Sequence, residues 1–135
     1  MTIEADIVTS FSAHGGLTAL IGSGAACRLY SAPAPEDVTY PCVEYQRIAS
    51  TYEQAFGTGE PVAARHPVFQ FTAWVQDRDT HLNARAIATQ IEAAALALVG
   101  STVSVYSVSL LGRSDGVAQD GQLRRVDVDV EVVHS

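Results

Sequence analysis

The sequence predicts an α+β fold, with a mostly antiparallel sheet and two main helices packed on one of its faces. Two stretches, Val68–Gln76 and Leu123–Val133, alternate between apolar and polar residues, as strands with one buried face do. Thr80–Leu98, which lies between them, carries apolar residues at helical spacing. Consecutive strands joined by short turns favour antiparallel pairing. The predicted order is α-β-β-β-α-β-β, in one domain that spans residues 1–135.

The N-terminal part is predicted to open with a helix. Thr2 is a suitable N-cap, and apolar residues recur at helical spacing from Ile3 to Phe11. Gly15-Gly16 is predicted to end this helix. A short helical turn at Leu17–Ile21 and a brief strand at Cys27–Tyr30 should follow.

The middle of the chain combines a strand with a long irregular segment. Pro41–Ala49 is predicted to be a strand, whereas Ser50–Pro67 shows no regular pattern and contains Gly57, Gly59 and Pro61. A connection of this length exceeds the usual hairpin loop of about two to five residues. We therefore expect the loop from Tyr52 to His66 to be mobile in the free protein and to contact a partner after assembly. The alternative is that it folds back over a sheet edge and protects it.

The C-terminal part is predicted to form a closing hairpin. Val103–Leu111 is a strand candidate, and Gly112–Gly121 is predicted to be a polar turn region. In the last strand, the valines at 126, 128, 130 and 132 should face the core. Arg125, Asp127, Asp129 and Glu131 should then face outward.

Composition narrows the classes of function. The 135 residues are 47% hydrophobic and 17% charged, with a net charge of −7 and no lysine, so the chain has material for a core but no basic surface for wrapping nucleic acid. Cys27 and Cys42 are not in a C-x-x-C pair, and we expect reduced, largely buried thiols. Acidic residues near the start argue against a signal peptide, and no apolar stretch is long enough to cross a bilayer.

Catalytic and metal motifs are not recognisable. None of the four histidines has a His, Cys or acidic neighbour at ligand spacing, and Ser23 lacks the context of a hydrolase nucleophile. Asp127, Asp129 and Glu131 lie on one strand face at about 7 Å spacing and could bind a metal, or form an ordinary solvated face. A third interpretation is an acidic contact or channel surface, which would repel DNA phosphates. We therefore predict no catalytic, metal-binding or cofactor-binding residues.

Aromatic residues suggest a protein interface. Trp74 is explained most simply as a core or cross-strand residue. The alternative is contact with a partner, because its neighbours on the same face, Thr72 and Gln76, are polar. Phe56 has no periodic partner within the predicted loop. The candidate interface residues are accordingly Tyr52, Glu53, Phe56, Arg65, His66 and Trp74.

The order of several short motifs resembles that of the tail-completion, or tail-terminator, proteins of long-tailed bacteriophages. Leu17–Gly22 is similar to the family's L-x-A-L-V-G segment, and Arg28-Leu29-Tyr30 to its short strand. A proline-containing loop then leads to Tyr40–Tyr45, as in the family. Phe69–Trp74, followed by a helix, is also similar, so the resemblance covers most of the chain.

The resemblance implies a structural protein that needs no cofactor. It implies a hexameric ring at the head-proximal end of the tail tube, contacting the tube protein on one side and a head-tail connector protein on the other. DNA would pass through without specific binding, no membrane would be involved, and the protein would be made in the bacterial host cytoplasm. The alternatives are another phage neck component or a small ligand- or protein-binding module; a small enzyme would need converging polar groups that the sequence does not offer.

Overall fold

A computed structural model describes residues 2–50, 52–54, 62–76, 80–101, 104–117 and 123–135. The helices are α1 (Ile3–Ser12), α2 (Gly15–Ile21) and α3 (Thr80–Ser101), with a 3-10 turn at Gly24–Ala26. The strands are β1 (Leu29–Ser31), β2 (Cys42–Ala49), β3 (Tyr52–Gln54), β4 (Val62–Arg65), β5 (Val68–Gln76), β6 (Val105–Val117) and β7 (Leu123–His134).

The described strands form one sheet in which β7 is central. The order runs β1-β2-β5-β7, and β6 pairs with the other side of β7. Only the β1–β2 pair is parallel, and the other pairs are antiparallel. The predicted α+β class and its mostly antiparallel sheet are therefore confirmed.

The segment predicted to be an irregular loop contains two strands. β3 pairs with β4 through Tyr52↔Arg65 and Glu53↔Ala64, and β4 reaches β7 at Arg65↔His134. The prediction that Ser50–Pro67 forms no regular element is wrong, because the β2–β5 pairing resumes after short interruptions. β2 with β3 and β4 with β5 thus form one long, interrupted hairpin. Its tip, residues 55–61, lies outside the described residues.

The N-terminal cap is confirmed, but the first helix ends earlier than predicted. Thr2 Oγ1 accepts a hydrogen bond from the Ala5 amide at 3.2 Å. α1 stops at Ser12, and Gly15 opens α2 instead of ending α1. The His14 side chain occupies the N-cap position of α2 and accepts a hydrogen bond from Leu17 N at 3.4 Å. Because the His14 side chain caps a new helix, Gly15 and Gly16 form the first residues of α2.

All three helices pack on the same face of the sheet and enclose the core. The four alternate valines of β7 are essentially inaccessible, as are the alternate residues Phe69, Phe71, Ala73 and Val75 of β5. Phe11 of α1 stacks on Phe71 with ring centroids 4.9 Å apart. α3 contributes a stripe of small and aliphatic side chains, so that its backbone lies close to β5 and β7. The predicted core face is confirmed.

The strand predicted to end at Leu111 continues to Val117. Its extra length falls in the region predicted to be a turn, so that prediction is wrong for residues 112–117. The extension pairs with β7 through Arg113↔Val128 and Asp115↔Val126. Arg113 forms an ion pair with Glu92 of α3, and Asp115 with Arg85, so two contacts between helix and strand hold polar residues in the sheet. Residues 118–122 are outside the described part.

Candidate functional site on the open face of the sheet

Polar side chains line up in rows across the sheet face that lies opposite the helices. One row is Glu44, Thr72, Asp127 and Ser114, from β2, β5, β7 and β6. The next is Gln46, Gln70, Asp129 and Gly112. No described helix covers this surface, which we call the open face. The outward placement predicted for Asp127, Asp129 and Glu131 is therefore confirmed.

The carboxylates of β7 are held by hydrogen bonds from β5. Thr72 Oγ1 donates to Asp127 Oδ1 at 2.7 Å. Gln46 Nε2 donates to Gln70 Oε1 at 3.2 Å, and Gln70 Nε2 donates to Asp129 Oδ1 at 3.3 Å. These bonds run along the rows of the sheet, so each fixes the orientation of a side chain relative to the next strand.

The open face carries more negative than positive charge. Glu44, Asp127, Asp129 and Glu131 lie on it, together with Arg125, whose Nε is 3.5 Å from Asp127 Oδ2. Four carboxylates against one guanidinium leave a net charge of −3 on these five side chains. The Asp127 side chain is only 13% exposed, so the negative potential arises partly beneath the surface.

Trp74 lies at one end of the open face, where Arg125 covers it. The Arg125 guanidinium is 5.8 Å from the centre of the Trp74 ring, a cation–π distance. Gly116, opposite Arg125 in register, leaves the space that this side chain needs, because a Cβ there would lie 2.7 Å from Arg125 Nε. Trp74 Nε1 is enclosed and has no hydrogen-bond partner among the described residues. Trp74 is thus partly buried, as a cross-strand residue would be.

The other candidate interface residues gather where the long hairpin leaves the body of the sheet. Tyr52 and Glu53 form part of β3, Arg65 ends β4, and Phe56 lies outside the described residues. His66 Nδ1 lies 3.9 Å from Glu131 Oε1, which links the hairpin to the acidic end of β7. The structure therefore brings His66 next to Glu131 but places Trp74 at the far end of β5.

A polar cleft lies beside the base of this hairpin. It has a volume of about 390 Å³, and its lining includes Arg47, Arg65 and His134. Arg47 forms an ion pair with Glu4 of α1 and lies over the Phe69 ring. Burial lowers the pKa of His134, and the nearby Arg65 and Arg47 act in the same direction. Two guanidinium groups thus face a histidine that stays neutral more readily than usual.

The two cysteines are free thiols. Cys42 is fully buried, and desolvation, with a smaller effect from Glu44, raises its pKa to about 12. Cys27 is only partly buried, and desolvation raises its pKa as well. At neutral pH both are therefore protonated and poorly nucleophilic, which fits a packing role.

Sequence reasoning missed the residues that organise the acidic side chains. Thr72 and Gln70 are visible only as polar alternates in a strand, and nothing in the sequence places them opposite Asp127 and Asp129. The signal that could have found them is the pairing register of β5 with β7. Among the described residues, no three His, Cys, Asp or Glu side chains cluster as metal ligands do. In the same part of the chain, no helix is long and apolar enough to span a membrane.

The fold and the open face together define a structural module of the α+β class, and comparison with known proteins identifies its family. Residues 5–135 match the family model described as "Tail completion protein gp17", so the chain belongs to that family. It is a structural protein of the phage tail and is located in the virion, and the predicted family resemblance is confirmed.

Solved structures give the same fold. A chain from a structure described as "Virion of native gene transfer agent (GTA) particle" superposes with a TM-score of 0.74 at 16% sequence identity. The match covers 98% of this chain and 95% of that one. A search of functionally curated proteins found no match.

Proposed function

We propose that this chain assembles as a ring of six copies at the head-proximal end of the tail tube, where it stops tube growth and provides the surface to which the head is joined. The observation that carries the proposal is the match of residues 5–135 to the tail completion family. Its partners are further copies of itself, the tail tube protein and a head-tail connector protein. In this role the chain catalyses no reaction and needs no cofactor.

The open face is suited to line the channel of such a ring. Its net negative charge repels DNA phosphates, so DNA can slide past without binding. On β6, the positions in register with Asp127 and Asp129 are Ser114 and Gly112, which add little bulk to this side of the sheet. Hydrogen bonds from Thr72 and Gln70 fix the orientation of the Asp127 and Asp129 carboxylates.

The proposal is tested by deleting the gene from the phage-like element that carries it. We expect tubes of irregular length and heads without tails, and purified protein added to the extract should restore joined particles in electron micrographs. Tubes of normal length, joined normally to heads, would refute the assignment. Labelled protein that binds isolated head vertices but not tube ends would identify a neck or connector component instead.

The channel assignment is tested by changing charge at Asp129. Asp129→Lys reverses the charge, whereas Asp129→Asn keeps the shape and an oxygen that can accept from Gln70. We expect both variants to assemble particles, and the lysine variant to deliver DNA more slowly because it attracts phosphates. Equal DNA delivery by wild type and both variants would mean that Asp129 does not face the DNA path.

The long hairpin is proposed to contact a neighbouring subunit or tail protein through Tyr52, Glu53, Phe56, Arg65 and His66, with Trp74 as a further contact. Replacing residues 55–61 by Asn-Gly would close β3 and β4 with a tight turn and leave both strands in place. We expect this variant to fold with nearly unchanged stability but to fail to complete tails. Normal tail completion would exclude the tip from assembly, and aggregation would indicate that it protects the sheet.

A further inference from the structure

The outer edge of β6 is long and forms one side of the described sheet. All of β6, Val105–Val117, lies beside β7, and no described strand pairs with its other side. Exposed strand edges are often blocked by proline, charged side chains or bulges. β6 contains neither proline nor lysine, and its two charged residues, Arg113 and Asp115, form ion pairs with α3. The pairing with β7 shifts register at two points, and the residues left over there, Tyr106 and Leu111, are 56% and 54% exposed. Each irregularity thus leaves one large hydrophobic side chain exposed on the edge strand.

Apolar residues of α3 extend this edge into the helical layer. Arg85, Thr89 and Glu92 form a stripe that contacts β6. The stripe continues at the same spacing to Leu96 and Val99, which are 50% and 47% exposed. Together with the exposed hydrophobic residues of β6 they define what we call the β6 edge surface: Leu96, Val99, Tyr106, Leu110, Leu111 and Val117. It contains six of the eight large hydrophobic side chains that are exposed in the described residues.

The β6 edge surface is large enough to hold two proteins together. Thirteen strand residues span roughly 40 Å, and a sheet with a helical layer about 10 Å away is roughly 20 Å thick. The whole side of the sheet along β6 therefore measures roughly 800 Å², similar to what one partner buries in a standard stable interface, and a contact along part of it buries correspondingly less. An occupant must offer a free strand edge to the backbone of β6 and apolar side chains to its flank.

A second copy of this chain offers such an edge on the opposite side of its sheet. There, β1 covers β2 only at Val43–Tyr45, so that β2 is unpaired on that side from Gln46 to Ala49 among the described residues. This stepped edge, β1 followed by Gln46–Ala49, carries Ile48, which is 48% exposed and lies at a register shift. It is also flanked by a helix, because Arg47 contacts Glu4 of α1.

We propose that the β6 edge surface of one copy packs against the stepped edge of the next, so that the sheet continues from subunit to subunit. This inference rests on the proposed ring and names its contact surfaces. Two different surfaces on opposite sides of a subunit make a head-to-tail contact, which forms a ring when the rotation between subunits closes, whereas one surface pairing with itself would stop at a dimer. All open faces then lie on the same side of the joined sheet.

The test uses two variants and one control, each at an exposed site. Leu111→Arg places a charge on the β6 edge surface, Ile48→Arg places one on the stepped edge, and Leu20→Arg changes an exposed leucine on α2 that belongs to neither surface. Sedimentation velocity over a wide concentration series measures assembly, and urea midpoints check that every variant is folded. We expect each edge variant to self-associate at least roughly thirtyfold more weakly, as for loss of an interface hot spot. Leu20→Arg should behave as wild type.

Mixing the two edge variants gives the decisive result. Each retains one intact surface, so an equimolar mixture should form a heterodimer of twice the monomer mass and nothing larger. If Ile48→Arg alone forms dimers and the mixture contains no heterodimer, β6 pairs with itself and the proposal is overturned. A wild type that stays monomeric at the highest concentration reached also overturns it. If both edge variants complete tails in the gene-deletion assay, these contact surfaces are wrong while the proposed function stands; wild type that fails there refutes the function itself.

Discussion

The two faces of the sheet use the same strands for opposite purposes. On the helix side, Phe71 and Val128 are in register and fully enclosed, and their contribution is apolar burial. On the open face, Thr72 and Asp127 form the next pair, and their contribution is a hydrogen bond at 2.7 Å. The face of each strand that packs on the helices therefore determines stability, while the opposite face is available to form a charged surface. Variants of adjacent residues should therefore separate the two effects.

The largest effect is expected from truncating the core. Phe71→Ala removes a ring that stacks on Phe11 and leaves a cavity, which should lower the free energy of unfolding by about 3–5 kcal/mol in urea titrations. Its neighbour Gln70, on the open face, is the matched control, and Gln70→Ala should cost less than about 1 kcal/mol. Similar losses from both substitutions would contradict the division between the faces.

Burying a hydroxyl group in the core should lower the free energy of unfolding by less than the cavity does. Val128→Thr keeps the side-chain shape but places a polar group among apolar neighbours, which should destabilise the fold by about 1–3 kcal/mol. Val128→Ala provides a comparison, since it truncates the side chain without adding a polar atom. A threonine variant as stable as wild type would show that the hydroxyl finds a partner in the core.

The reverse exchange on the open face should have a smaller effect. Thr72→Val removes the hydroxyl that donates to Asp127 and should cost about 1 kcal/mol in the same urea titration. Thr72→Ser retains the donor and should recover most of that loss. If serine is as destabilising as valine, packing of the threonine methyl group matters more than the hydrogen bond.

Removing Arg125 should have the smallest effect on stability. Its side chain is 45% exposed, so we expect Arg125→Ala to cost about 0.5 kcal/mol or less. Trp74 is the only tryptophan, so its fluorescence reports on this position alone. Its emission should shift to longer wavelength as water reaches the ring that Arg125 covers. Unchanged emission would indicate that the guanidinium does not rest on Trp74 in solution.

His134, at the boundary of the apolar face, should make the stability of the fold depend on pH. Burial lowers the pKa of His134 below its value of about 6.5 in the unfolded chain, so the unfolded chain binds the proton first as pH falls. The contribution of His134 to stability should be constant above the unfolded-state pKa of about 6.5. It should decrease as the pH falls from there towards the folded-state pKa. His134→Leu should lose this part of the pH dependence between about pH 7.5 and 5.5. An unchanged difference in urea midpoint would mean that groups other than His134 cause it.

The sequence alone determined those strands in which the alternation of apolar and polar residues shows which face is buried. The alternation in Val68–Gln76 predicted β5 to the residue, and the alternation in Leu123–Val133 predicted β7 and its buried valines. Both were readable because burial on one face imposes a period of two. The same periodicity placed Asp127, Asp129 and Glu131 outward, and the order of short motifs indicated the family before any fold was known.

The tertiary structure was needed for the features that depend on contacts between residues far apart in the chain. β3 and β4 lack a periodic pattern. They form because they pair with each other, and no local feature of the sequence indicates that pairing. β6 extends through Gly112 and Asp115 because β7 and α3 hold it, against the turn propensity of its own sequence. The register that sets Thr72 beside Asp127, and the separation of the β6 edge from the stepped edge, also arise from pairing. Local residues determine a strand's faces, but its length, partner and free edge are set by the rest of the sheet.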